Sequence, residues 1–113
     1  MRVNALRAFK AEFFRALAHP TRIGILEILA GSDRTVQQLQ AALGADQPTV
    51  SQQLAVLRAK NIVAARKAGT TVHYSVRDPL VADLLAIARR IFNNQLIGSQ
   101  SLLRELQRET RRR

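Results

Sequence analysis

The sequence predicts a mostly helical fold that contains one β-hairpin. Apolar residues recur at helical spacing over most of the 113 residues. Aromatic residues make up only 4% of the chain, so the core must consist mainly of Leu, Ile, Val and Ala. That set suits packed helices better than a large sheet. In the second half of the chain, two runs rich in β-branched residues flank a glycine, which indicates a single hairpin.

Two helices are expected before residue 32. A first helix over about residues 4–18 is predicted by four apolar residues at helical spacing: Leu6, Phe9, Phe13 and Leu17. The segment His19-Pro20-Thr21 interrupts it. Because proline fits the first turn of a helix, a second helix is expected to begin at Pro20. Apolar residues lie nearly all round this second helix, which indicates burial, and Gly31 is its expected stop.

A short third helix and a fourth helix follow. Capping residue types at 32, 33 and 35 precede the third helix, which Gly44 closes. Asp46 or Gln47 can cap the fourth helix, which has Pro48 in its first turn and ends near residues 60–61. Helix-turn-helix spacing is shown by five residues, with glycine at the tight turn: Leu39, Leu43, Gly44, Val50 and Leu54.

The two strand-like runs cover residues 62–67 and 71–76, with Ala68-Gly69-Thr70 between them. A hairpin directly after the fourth helix is a wing, so the predicted fold is a winged helix-turn-helix. Asp78 and Pro79 then begin a last helix with a long apolar stripe. Whether that helix continues past Gly98 is left open by the sequence.

The expected organisation is a single domain over residues 1–113. Its parts are a helix-turn-helix at 35–60, a wing at 62–77 and dimerisation helices at 4–18 and 79–108. The first and last helices carry more apolar surface than one chain of this size can cover, which predicts a homodimer with two-fold symmetry. No apolar run is long enough to span a membrane and no signal peptide is apparent, so a cytoplasmic location is expected.

The charge of the chain favours a polyanionic partner. The formal net charge is +10, and double-stranded DNA is the expected partner. The chain has no cysteine, which excludes disulfides and thiolate chemistry. No paired acids, Ser-His-Asp arrangement or glycine-rich phosphate loop is apparent, so the chain is not expected to be an enzyme.

The candidate DNA-contacting residues lie on the fourth helix and the hairpin. With Val50, Leu54 and Leu57 directed inward, small and uncharged polar residues point outward near the start of the helix. The hairpin adds cations suited to phosphates. The full set is Gln47, Thr49, Ser51, Gln52, Arg66, Lys67, Thr70, Thr71 and Tyr74. Each has an ordinary alternative, namely a polar solvent-facing helix surface, a charged strand edge, or packing on the hairpin for Tyr74 and His73.

Three stretches of the chain resemble the ArsR family of winged helix-turn-helix repressors. They read FFRALAHPTRIGILEIL, TVQQLQAALGADQPTVSQQLAVLRAKNIV and AARKAGTTVHYSV, and together cover most of residues 9–77. The resemblance implies a homodimer joined through its first and last helices, with two recognition helices in successive major grooves. It also implies repression that an inducer releases.

The sequence departs from the metal-sensing members of that family. Where arsenic- and cadmium-type members carry a cysteine pair in a stretch resembling CVCDL, residues 35–39 read TVQQL. Where zinc-type members carry histidine in the last helix, Leu80 stands, although Asp78 is present. His19 precedes Pro20 in a motif common in the family, which favours a capping or packing role. No metal site and no cofactor is therefore expected.

Two further functions fit the same fold. One is an architectural protein that binds DNA without sequence preference, and the other is a winged-helix module that binds another protein. The nature of the inducer, an unknown small molecule or a partner protein, and the choice between repression and activation are not determined by the sequence.

Overall fold

The computed structural model describes residues 2–96 and 100–112. The order of elements is the predicted one, with four helices, an antiparallel hairpin and a helical C-terminal part. The elements are α1 (Arg2–Leu17), α2 (Pro20–Leu29), α3 (Val36–Leu43), α4 (Gln47–Ala59), β1 (Val63–Ala68), β2 (Thr71–Val76), α5 (Leu80–Gln95) and α6 (Gln100–Arg112). The predicted range 79–108 therefore holds two helices, and Gly98 lies outside the described residues.

Side-chain caps fix the starts of α2, α3 and α4. The Nδ1 atom of His19 accepts a hydrogen bond from the backbone N–H of Thr21 at 3.1 Å, which confirms the capping role expected for this histidine. Of the three candidate caps before α3, Thr35 is the one used, in a capping box with Gln38. Asp46 caps α4 by accepting from the N–H of Thr49 at 2.9 Å.

The turn between α3 and α4 requires glycine. Gly44 has φ 63° and ψ 33°, in the left-handed region, and its N–H donates to the carbonyl oxygen of Gln40. A side chain at this position would strain the backbone. Gly44 thus ends α3 and turns the chain into the cap of α4, as the spacing predicted.

The first strand of the hairpin lies one residue further along the chain than predicted, over Val63–Ala68 rather than residues 62–67, and has the predicted length. Ala68 pairs with Thr71, so the turn contains only Gly69 and Thr70, and Gly69 adopts φ 64°. A third segment joins this sheet: the N–H of Arg34 donates to the carbonyl oxygen of Tyr74 at 3.1 Å, and the N–H of Tyr74 donates back at 2.8 Å. This bridge ties the wing to the connection between α2 and α3.

The core lies between α2, α3, α4 and the base of β1. The largest fully buried side chains are Ile25, Leu26, Leu39, Val50, Leu54, Leu57 and Val63. All three residues predicted on the inner face of α4 are among them, which confirms the helical wheel. Because these aliphatic side chains interlock, the core fixes the angle at which α4 presents its other face.

The chain divides into two compact units, one ending at Val81 and the other beginning at Ala82. In the first unit, the C-terminal end of α1 is buried at Ala16 and Leu17, whereas Leu6 and Phe9 are exposed. In the second unit, exposed apolar residues include Ile87, Ile91 and Phe92 on α5 and Leu102 on α6. Each unit therefore retains apolar surface in the single chain. The expectation of one domain over residues 1–113 stays a prediction.

Candidate nucleic-acid interface

Helix α4 presents a polar and sterically small surface opposite its buried face. Gln52 and Ala55 are exposed, and Thr49 and Ser51 are half-buried at the edges of that surface. The absence of bulky side chains near the start of α4 allows the helix to approach another surface closely. Gln52 is exposed on this surface, and glutamine is a residue type that can make paired hydrogen bonds to an adenine edge.

Gln47 and Ser51 form a polar pair on the first turns of α4. The Nε2 atom of Gln47 donates to Oγ of Ser51 at 2.6 Å, across the i, i+4 spacing. The bond uses one amide proton, so the carbonyl oxygen of Gln47 can still accept and the hydroxyl of Ser51 can still donate. The pair therefore offers both an acceptor and a donor to a ligand, and the hydrogen bond between the two side chains holds them in place.

Thr49 has a structural partner that competes with its predicted contact to DNA. Both the side chain and the backbone N–H of Thr49 hydrogen-bond to the Asp46 carboxylate, and these bonds lower the pKa of Asp46 below its ordinary value. The structure thus places Thr49 in the cap of α4 as well as at the edge of the outward surface. Sequence spacing does not reveal that engagement.

The register of the hairpin separates its two cations. Lys67 pairs with Val72 and Ala65 pairs with Tyr74, so these four residues share one face of the sheet with the buried Val63. Arg66 pairs with His73 on the opposite face, because successive residues of a strand alternate. The sequence predicts a phosphate contact for both Arg66 and Lys67. In the structure, only Lys67 lies on the same face of the hairpin as Tyr74.

Tyr74 stands between two open grooves beside α4. A groove of about 340 Å³ is lined by Ser51, Leu54, Ala55, Arg58, Ala59 and Tyr74. A groove of about 520 Å³ is lined by Val36, Gln37, Gln47, Ser51, Thr70, Thr71, Val72 and Tyr74. The structure therefore brings the Tyr74 face of the wing and the outward face of α4 into one continuous surface, with Thr70 and Thr71 at its edge.

Arg58 and Gln37 belong to this surface and were missed by the sequence reasoning. Ser51, Ala55 and Arg58 have the i, i+4, i+7 spacing of one helix face. A helical wheel of α4 could therefore have indicated Arg58 from the sequence. Gln37 lies on α3, and only the packing of α3 beside the wing brings it near Gln47. No sequence pattern could have indicated that proximity.

The charge of this surface is carried by cations, since Arg58 lines one groove and Lys67 shares the strand face of Tyr74. In the described part of the chain, Glu12 pairs with Arg15 at 3.2 Å and with Lys60 at 3.4 Å. Neither groove beside Tyr74 has a carboxylate in its lining. Arg58 and Lys67 therefore give this surface a positive charge, which favours a polyanion.

The cap of α4 gives a first testable prediction. Because the Asp46 pKa is lowered in the folded protein, the stabilisation from this carboxylate is present above the ordinary aspartate pKa near 4 and is lost as the pH falls through the lower, folded-state value. Asp46→Asn should thus lower the melting temperature at neutral pH, and the difference from the parent should shrink below about pH 4. Thermal melts of both proteins from neutral pH down to acid measure this. Asp33→Asn, at an exposed aspartate that caps no helix, is the matched control.

The family comparison matches the region that builds this surface. Residues 19–65 match the model of the family described as bacterial regulatory protein, ArsR family. That range begins at the cap of α2 and ends within β1. It therefore contains the complete helix-turn-helix and the first part of the wing.

Relatives and solved structures extend the match along the chain. The HTH-type transcriptional regulator Rv0081 of Mycobacterium tuberculosis is 43% identical over 107 residues, which are 94% of either chain. Its crystal structure has a TM-score of 0.75 and covers 80% of this chain and 92% of that chain. A homodimeric winged helix-turn-helix DNA-binding domain from Mycobacterium bovis, Mb0332, has a TM-score of 0.75 at 33% identity, over 84% of this chain and 88% of that chain.

A probable mercury resistance operon repressor of Streptomyces lividans is 44% identical over 79 residues, which are 70% of this chain and 63% of that protein. Over the part of the chain that the structure describes, no group of three or more His, Cys, Asp or Glu residues could hold a metal ion. Within those same ranges, no helix is both long and apolar enough to cross a membrane.

Proposed function

Since this chain belongs to the ArsR family of bacterial transcriptional regulators, we propose that it is a homodimeric repressor of a two-fold symmetric DNA operator. Helix α4 enters the major groove, and the wing lies against the adjacent phosphates. The observation that carries the proposal is the continuous surface of α4 and the wing, which has small side chains at its centre and no carboxylate in the lining of its two grooves.

The division of roles on this surface follows from geometry. Gln52 and the Gln47–Ser51 pair lie on the outward start of α4, where side chains reach base edges. Lys67 and Arg58 flank them and neutralise phosphates, which sets the position of the helix without reading sequence. Arg66, on the other face of the hairpin, contributes less than Lys67.

The dimer is supported by the apolar surface that each chain leaves uncovered. Leu6 and Phe9 of α1 expose more than half of their area, and isolated soluble domains rarely keep such a row of large apolar side chains in water. The Mycobacterium bovis relative of the same fold is homodimeric. In this proposal, α1 and the apolar stripe of α5 form the two-fold interface, so that two copies of α4 face successive major grooves.

Repression by this protein is proposed not to use the metal sites of the family. The chain has no cysteine and only two histidines, of which His19 is engaged in the cap of α2. Zinc added to the tag-free protein should therefore leave its operator affinity unchanged. Calorimetry that finds one tightly bound zinc per chain, at sub-micromolar affinity, would contradict this part of the proposal.

The roles of the surface residues give a further prediction. Gln52→Ala should weaken binding to the operator by about 1–3 kcal/mol and leave binding to random DNA nearly unchanged. Lys67→Ala should weaken binding to both duplexes and reduce the salt dependence, because it removes a phosphate contact. Arg66→Ala is the matched control, with a smaller loss of the same kind. If Gln52→Ala and Lys67→Ala lower binding equally on every sequence, the division of roles is wrong.

The deciding experiment for the proposed function is fluorescence anisotropy with the DNA upstream of the protein's own gene and a scrambled duplex, at several salt concentrations. A specific regulator should prefer an operator about a thousandfold or more. Equal, salt-sensitive binding to both duplexes would support the architectural alternative or place the operator elsewhere, which a selection from random duplexes resolves. Failure to bind any duplex would leave the protein-interaction module as the better account.

A further inference from the structure

A cavity between α5 and α6 lies entirely within the second unit of the chain. Its volume is about 600 Å³, large enough for a small organic molecule. Helix α5 contributes Arg89, Arg90, Asn93 and Asn94 to its lining. None of its lining residues belongs to α4 or to the hairpin, and the family match ends at residue 65, well before Arg89.

Five of the seven residues that line this cavity carry side-chain N–H donors. Arg89 and Arg90 carry two permanent positive charges, since guanidinium groups do not lose their protons in proteins. The amides of Asn93, Asn94 and Gln107 add N–H groups from both helices. The hydroxyl of Thr110 donates instead to the carbonyl oxygen of Leu106 at 3.2 Å. Leu106 and Thr110 therefore form a less polar part of the cavity wall.

Among the described residues, no carboxylate lines the cavity beside these two arginines. Glu105 and Glu109 of α6 both lie outside its lining. From residue 82 to residue 113, the sequence has seven arginines and three acids. Two adjacent guanidinium groups repel one another. A multivalent anion between them would relieve that repulsion and accept hydrogen bonds from the N–H groups of both arginines.

We propose that the cleft between α5 and α6 binds a small organic anion with at least two negative charges, such as a phosphate ester or a polycarboxylate. Arg89 and Arg90 make the charged hydrogen bonds, and the side-chain amides of Asn93, Asn94 and Gln107 orient the remainder of the molecule. The site does not depend on the proposed DNA-binding role, because none of its residues lies on α4 or the wing.

The test uses the full chain and two probes, inorganic pyrophosphate for phosphate chemistry and citrate for carboxylate chemistry. Isothermal titration calorimetry at moderate salt should show binding of one probe or both, with one site per chain. The double variant Arg89→Gln/Arg90→Gln should bind at least tenfold more weakly. The control Arg104→Gln/Arg108→Gln removes the same charge from α6 at positions outside the cavity and should keep affinity within about twofold. A third variant, Asn94→Ala, keeps both arginines and should still weaken binding measurably.

Circular dichroism and melting temperature verify that each variant is folded. Equal losses in the two double variants would show attraction by the overall positive charge, and a failure of both probes to bind would show that no such site exists; both outcomes overturn the proposal.

DNA titrations separate this site from the proposed interface. If Arg89→Gln/Arg90→Gln weakens binding to a random duplex as strongly as it weakens pyrophosphate binding, the cleft is part of the DNA surface and the proposal is wrong. The DNA-binding role is tested independently by Gln52 and Lys67.

Discussion

Leu54→Asp is expected to leave residues up to Val81 unfolded at 25 °C. Leu54 is 1% exposed and lies at the centre of the core, between α2, α3 and the wing base. Removing its packing alone should cost about 2–5 kcal/mol. A carboxylate at this position has no partner in the aliphatic core, and its desolvation adds several kcal/mol. Because the free energy of unfolding of a small domain is only about 5–15 kcal/mol, these two losses together remove most or all of it.

Far-UV circular dichroism and urea titration measure this result. The variant should show strongly reduced helical signal without a cooperative urea transition. Ala55→Asp is the matched control, since it places the same charge one residue along, at an exposed position of α4. It should remain folded and lose only DNA affinity. A cooperative transition for Leu54→Asp, with a midpoint close to that of the parent, would contradict the assignment of α4's inner face.

Phe9→Asp should lower operator affinity by at least about a hundredfold although the side chain lies far outside the core. Phe9 is 74% exposed in the single chain, so the substitution should change the folding of one chain by less than about 0.5 kcal/mol. In the proposed dimer, the same position is at the interface, where a large aromatic side chain carries much of the binding energy. A monomer can occupy only one half-site, and the gain from linking two half-sites is lost.

Light scattering and fluorescence anisotropy on the same samples measure the two steps. The parent should be a dimer at micromolar concentration, and Phe9→Asp should be a monomer with a nearly unchanged helical signal. The control is Ala11→Asp, an exposed position directed to another side of α1. If Phe9→Asp remains dimeric and binds the operator normally, α1 is not the interface.

The local elements of this protein could be predicted because each depends on residues close together in the chain. The cap at Asp46, the left-handed Gly44 and the buried spacing of Val50, Leu54 and Leu57 are all visible in consecutive residues, and the structure has them as expected. Most element ends differ from the prediction by one or two residues, and the last helix ends at Arg112 rather than at residue 108. Ala68 lies in β1 rather than in the turn, because its pairing with Thr71 leaves a tighter turn at Gly69.

The composition of the candidate interface was only partly accessible from the sequence. Helical spacing indicated Gln47, Ser51 and Gln52, but the cap role of Thr49 and the approach of Gln37 to the wing depend on how α3, α4 and the hairpin pack. The bridge from Arg34 to Tyr74 joins residues forty positions apart. Such contacts leave no periodic trace in the sequence, because they are selected by the packing of whole elements.

The sequence alone thus specifies the helices, the turn, the wing and the family, since capping, periodicity and turn chemistry act over a few residues. The tertiary structure decides which side chains lie together on one face. It places Lys67 with Tyr74 and Arg66 on the opposite face of the hairpin, and it brings Arg89 and Arg90 into one cleft with the amide of Gln107 from α6. The physical reason is that strand register and helix packing are set by the shapes of buried side chains, and these shapes determine distances between residues that the chain itself holds far apart.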